Sequence, residues 1–191
     1  NNQIACCRVL KVWAFHIMTD VWGDIPYHST GSNDPDFDAC LAEEGIIYPK
    51  YAAQQKIYED MLSGLKAAAA MMNLNESGFI RGDVIYGGAM TNWQKFANSL
   101  SLRIANRVKH KSTIAAERLT EIISNPTTYP VMTSNADNAL LPDESVDPNR
   151  APFFTYTISA SRDDYALTNV IIEFLKGQRG PVAATVIDTR M

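Results

Sequence analysis

The sequence predicts an all-α protein, and three observations carry that expectation. Apolar residues recur at helical spacing in five separated segments, helix stop signals follow those segments, and no convincing strand series appears in the 191 residues. Residues 4–22 place Leu10, Trp13, Ala14, Ile17 and Val21 on one stripe, which predicts a helix that buries that stripe. Gly23 follows as the expected C-terminal cap, and Pro26 prevents the helix from resuming. Trp22, Tyr27 and His28 lie where this chain leaves the helix, so their side chains are expected to reach solvent.

A second helix is expected from Pro49 to about Asn73, with Tyr58, Met61, Leu62, Leu65, Ala69 and Met72 along one side. The third is the best marked. Thr91 and Gln94 read as a capping box ahead of Trp93, Phe96, Ala97, Leu100, Ile104 and Val108, and Arg107, Lys109 and Lys111 suit the negative end of its dipole. A fourth helix over 113–124 follows almost at once and stops at Asn125-Pro126, which predicts an antiparallel hairpin. Residues 126–162 read as a loop-rich excursion, because five of the nine prolines fall between Pro126 and Pro152 among many Asn, Asp, Ser and Thr. Within it, "FFTYTIS" at 153–159 has local β propensity. A fifth helix is expected over about 163–176, with Leu167, Val170, Ile171, Phe174 and Leu175 inward and Gly177 as its stop. Helix pairs are thus the local unit, and a tetratricopeptide-like array fits them, although the helix starts keep no clean 34-residue period.

Composition narrows the function classes. A formal net charge of −4 gives no basic footprint for phosphates, so nucleic acid is not an expected partner. No run of about 18 apolar residues exists to span a bilayer as a helix. The chain opens "NNQIACCRVL" without an initiator Met or a signal-peptide pattern, so targeting sequence is expected upstream. Cys6, Cys7 and Cys40 have no metal-ligand spacing and are expected as buried thiols.

Several separated segments together resemble one family, the SusD/RagB outer-membrane nutrient-binding lipoproteins. They are "RVLKVWAFHIMTDVWGDIPY", "YPKYAAQQKIYEDMLSGLKAA", "GDVIYGGAMTNWQKFANSLSLRIANRV", "SNADNA" and "RDDY", in the family's order over most of residues 8–175. The resemblance implies that residues 1–191 are part of a single SusD-like helical domain with tetratricopeptide-like pairs. It implies a lipid-anchored protein on the outer face of the outer membrane, acting as a ligand-capturing lid over a SusC-like TonB-dependent transporter. Family chains are much longer, so the sequence resembles an internal portion of one. The ending is the weakest part of the resemblance: "DTRM" keeps an Asp-x-Arg-Met like the family's, but Thr189 stands where the family carries proline and the spacing differs, so the resemblance does not fix how residues 177–191 fold.

The residues offer little catalytic chemistry. Asp34, Asp36 and Asp38 alternate as in a calcium loop, but Ala39 replaces the required glycine and Gly45 stands where a Glu is needed, so a solvated acidic loop is expected. His16 and Asp20 share a helix face at i, i+4, yet neither a metal nor an acid/base pair is complete without further ligands. "YGGAMT" at 86–91 lacks the lysine of a phosphate loop, and Asp163-Asp164 is explained as a charged helix start. A non-catalytic binder needing no cofactor or metal is therefore expected. The resemblance implies an oligosaccharide ligand, and aromatic residues are then candidates for contact with it, since a pyranose C–H face stacks on aromatic rings while its hydroxyls seek polar side chains. Trp13 and Trp93 lie on apolar stripes and read as core. Trp22, Tyr27 and His28 are the ligand-contact candidates. The same architecture would also serve a scaffold for a protein or peptide partner.

Overall fold

The computed structural model describes residues 1–79, 81–144, 146, 150–162 and 166–179, without the side chain of Ser159. Its helices are α1 (Asn2–Trp22), α2 (Gln54–Ala70), α3 (Met90–Val108), α4 (Thr113–Ser124), α5 (Pro152–Phe154) and α6 (Asn169–Leu175). Among the described residues no strand forms, only isolated bridges such as Ile25 with Ala52 and His28 with Asp38. The chain divides into two compact units, residues 1–141 and 142–191.

In the first unit the helices alternate in direction. The Asn2 side chain donates to the Asn73 and Glu76 carbonyls and accepts from the Asn73 N–H, which ties the start of α1 to the end of α2. At the other end the Gln54 amide donates to the Thr19 carbonyl, so α1 and α2 are antiparallel. Cys6 meets Met90, and Asp20 meets Arg107, which makes α3 parallel to α1. The Val108 carbonyl accepts from Lys111 and Ser112 in the tight turn that reverses the chain into α4, and Ser112 caps α4 by accepting from the Ala115 N–H. One core runs through the four helices, from Val9 and Val12 through Ile57, Met61, Leu62 and Leu65 to Trp93, Leu100 and Ile104.

The structure moves several sequence-based boundaries. The second helix starts five residues after Pro49, because the backbone before it is engaged elsewhere: the Lys50 N–H donates to Asp38 and the Ala52 N–H to the Ile25 carbonyl in an isolated bridge to the segment after α1. The first free N–H of α2, at Gln54, is then taken by the Asp24 carboxylate. The third helix begins at Met90 and carries no side-chain cap, so Thr91 lies inside its first turn. Its entry is set instead by Asp83, whose carboxylate accepts from the N–H groups of Ile85, Tyr86 and Gly88 and from the Trp93 indole. Gly88 is required there. Its φ is 87°, and a Cβ would sit 2.2 Å from Ser77 Oγ and 2.8 Å from the Phe79 carbonyl.

The largest correction concerns α1. The stripe of Leu10, Trp13, Ala14, Ile17 and Val21 faces outward, and the buried face is Asn2, Ala5, Cys6, Val9, Val12, His16 and Thr19. The helix is apolar on both sides, so periodicity alone does not select the face that packs. The cysteines are corrected too: Cys6 is buried, with its thiol pushed up to about 12 by burial, whereas Cys7 and Cys40 are exposed.

Residues 126–141 form an excursion with one short 3-10 turn, Asn135–Asp137, and α3 holds it down. Asn98 donates to the Pro130 carbonyl, Ser99 accepts from the Met132 N–H, and Lys95 meets Asp137 at 2.6 Å. In the second unit "FFTYTIS" is helical, α5 continuing as a π turn over Thr155–Ser159. Pro152 starts it at the position where a missing N–H costs nothing, and no neighbouring strand exists among the described residues to satisfy a β alternative. The last helix is shorter than expected, and Leu167, Val170, Ile171 and Phe174 are exposed. Asp163 and Asp164 lie outside the described residues, as do residues 180–191.

Candidate ligand surfaces

The stretch "WGDIPYHST" builds the most ordered candidate surface. At Gly23, φ is +76°, the N–H donates to the Thr19 carbonyl, and the Thr19 hydroxyl donates to the Gly23 carbonyl at 2.6 Å. The helix ends there, as its sequence signals. From Asp24 onward the segment is extended with a period of two. Ile25, Tyr27 and Ser29 are buried, while Asp24, Pro26, His28 and Thr30 point the other way.

This alternation separates the three expected ligand-contact residues. Trp22, on the last turn of α1, is 68% exposed. Tyr27 is 3% exposed, its ring held edge-on between Phe15 and Phe37, and its hydroxyl donates to Asp60 at 2.7 Å. Burial and the Asp60 carboxylate together raise its pKa far above the usual phenol range. Its ring is part of the core and offers no face to a ligand. His28 is half-buried, and its Nδ1 has no hydrogen-bond partner among the described residues. Tyr51, which the sequence reading did not select, is 73% exposed on the segment paired with Ile25. A signal for it existed in the spacing Tyr48-x-x-Tyr51 beside Pro49; both rings are exposed, and Tyr51 is the one whose two neighbours, Lys50 and Ala52, are tied down by backbone N–H bonds.

Two grooves flank this core. A polar one of about 410 Å³ runs between the 29–37 loop and α2, lined by Arg8, Ser29, Thr30, Asp34, Lys56 and Glu59. Its base is Asp60, which accepts from Tyr27 and from Ser29, and the Ser29 hydroxyl in turn accepts from the N–H groups of Gly31 and Ser32. The acidic loop is neutralised from α2: Lys56 lies 2.7 Å from Asp36 and 3.2 Å from Asp34, and Asp38 accepts from the Lys50 N–H. The second groove, about 470 Å³, is apolar and lies along the outward stripe of α1, with Leu10, Trp13, Phe79, Val84, Phe96 and Leu141 in its walls.

His16 and Asp20 do share a face, but buried inside the α1/α2/α3 seam. His16 Nε2 is 3.2 Å from Asp20 in poor hydrogen-bonding geometry, because Asp20 already accepts from the Tyr58 hydroxyl and pairs with Arg107 at 3.2 Å. Burial lowers the His16 pKa, with Arg103 and Arg107 adding to the effect against Asp20. Among the described residues no group of three or more His, Cys, Asp or Glu side chains converges as a metal site.

No curated protein sequence matches the chain. Among solved structures, a SusD homologue from Parabacteroides distasonis superposes with a TM-score of 0.65 at 24% identity, over 84% of this chain and 30% of its own. A SusD homologue from Bacteroides fragilis gives a TM-score of 0.57 at 23% identity, over 73% and 28%. A chitin-binding protein gives a TM-score of 0.56 at 28% identity, over 73% and 27%. The chain thus spans less than a third of the length of each of these structures, and the first two show the fold alone. The SusD-like family, described as "Starch-binding associating with outer membrane", matches residues 1–189, and the chain belongs to that family.

Proposed function

We propose that this chain is part of a non-catalytic protein that captures an oligosaccharide at the outer-membrane surface and delivers it to a SusC-like TonB-dependent transporter. The observation that carries the reading is the family match over nearly the whole chain to a starch-binding, outer-membrane-associated family. The likeness to a chitin-binding protein adds a second glycan to the candidates. The structure contributes surfaces of suitable chemistry, a polar groove bordered by hydroxyl, carboxylate and ammonium groups, and exposed aromatic rings next to it in sequence. Both compact units are assigned to one SusD-like domain, on the continuity of the family match. Attachment would be through a lipid, as the resemblance to the SusD/RagB lipoproteins implies; no helix among the described residues is long and apolar enough to cross a membrane.

A second reading rests on the apolar groove along α1. Such a groove suits protein side chains better than sugar hydroxyls, and it supports a helical scaffold that binds a protein or peptide. Affinity electrophoresis in gels containing starch or glycol chitin separates the two. Retarded migration in either polysaccharide supports capture. Unchanged migration in both, with a peptide co-purifying stoichiometrically, supports the scaffold.

A further inference from the structure

The backbone pairing beside α1 fixes which side chains share its outer face. The N–H groups of Lys50, Ala52 and Gln54 donate in turn to Asp38, Ile25 and Asp24, so the segment is tied down at every second residue. Ile25 and Ala52 are opposite one another and both buried. The bridge is a single pair, and Pro26 and Tyr51, the next residue on from each of its members, alternate to the side away from the buried Ile25 and Ala52. His28 and Asp38 form the other bridged pair, and His28 shares the outward face with Asp24 and Pro26. Tyr51 is therefore a largely uncovered ring on a backbone tied down at both neighbours, and the residues of the facing segment that alternate away from the core include the apolar Pro26 and the polar Asp24 and His28.

We propose that this face is a sugar subsite in which Tyr51, with Pro26 beside it, stacks against one pyranose ring of a neutral oligosaccharide. Asp24, His28 and Asp38 are the partners for its hydroxyls. The proposal rests on the capture reading above and names the site and substrate class for it. Stacking needs an aromatic face that stays put, and the three N–H bonds mean that little backbone ordering remains to be done on binding. The class is neutral because the two carboxylates bound to this segment, Asp38 at the Lys50 N–H and Asp24 at the Gln54 N–H, bring negative charge to it and disfavour a uronate, while the Lys50 ammonium is turned away to the Pro35 carbonyl and Asp36.

The test is calorimetric titration of the chain with maltohexaose, chitohexaose, cellohexaose and a galacturonate hexamer. The parent is compared with Tyr51→Ala, Tyr51→Trp and Ile123→Ala, an exposed residue on α4. The expected result is binding of at least one neutral hexamer, weakened about tenfold in Tyr51→Ala and kept in Tyr51→Trp and Ile123→Ala. Circular dichroism shows that each variant is folded. Parent affinity in folded Tyr51→Ala overturns the subsite and leaves the capture reading standing. Binding of the galacturonate hexamer alone overturns the substrate class. A parent that binds none of the four removes the capture reading and the subsite with it.

Discussion

Helices α1 and α3 lie parallel in the same core, are of similar length, and yet treat their apolar stripes in opposite ways. In α3 the stripe of Trp93, Ala97, Leu100 and Ile104 is buried, and the far side is polar, with Asn92, Lys95, Ser99 and Asn106. In α1 the stripe of Leu10, Trp13, Ile17 and Val21 is exposed, and a second set led by Ala5, Val9 and Val12 is buried. Both tryptophans read as core from their spacing, but Trp93 is 2% exposed and Trp13 is 48% exposed. A periodic pattern marks a helix in both cases. It marks the packing face only where the other side is polar enough to be excluded from the core.

The largest expected effect tests that contrast directly. Trp93→Ala should destabilise the first unit by about 3–5 kcal/mol, since it opens a cavity and also strips Asp83 of its indole donor. Trp13→Ala should cost under about 1.5 kcal/mol, as half its surface is already in water. Urea unfolding of both variants checks the pair, and equal losses would mean that the two faces of α1 have been assigned the wrong way round.

A smaller effect is expected where α1 stops. Gly23→Val should lower stability by about 1–2 kcal/mol, because φ of +76° is rarely adopted by an L-residue; nothing lies within 4 Å of a built Cβ, so strain rather than collision is the cause. Gly31→Val, a glycine with equally open space and no positive φ, is the comparison. A melting temperature unchanged by Gly23→Val alone would show that the exit from α1 tolerates another geometry.

The smallest effect sharpens the contrast between polar seams. In α4, Glu121 is held down to about 2 from 4.5 by the Lys66 ammonium, then by the Tyr129 hydroxyl, which overcome the effect of burial; Arg118 adds to this. The folded carboxyl is more acidic than the unfolded one, so its contribution is fully present above about 4.5 and is lost as pH falls towards 2. Solvent screens the partly exposed group, so the gain is modest. Urea midpoints measured across that window should fall with pH, and the slope should be shallower in Glu121→Gln. An identical slope in the variant would assign the acid sensitivity to other carboxylates.

Local chemistry made much of the molecule legible beforehand. Gly23 followed by Pro26 marks the end of α1, Asn125-Pro126 the end of α4, and the short link between α3 and α4 their hairpin, because each depends on backbone geometry that a few adjacent residues impose. The family, too, could be read from ordered motifs. What the sequence could not decide depends on partners remote along the chain. Asp24 caps a helix thirty residues away, and the bonds of Lys50 to Asp38 and of Ala52 to Ile25 postpone α2 beyond Pro49. The same contacts decide that Tyr27 is drawn between Phe15 and Phe37 while Tyr51 is left facing out. Two tyrosines of equal propensity are sorted by partners remote along the chain, Phe15, Phe37 and Asp60 for Tyr27 and none of comparable burial for Tyr51, and neither local segment encodes that alone.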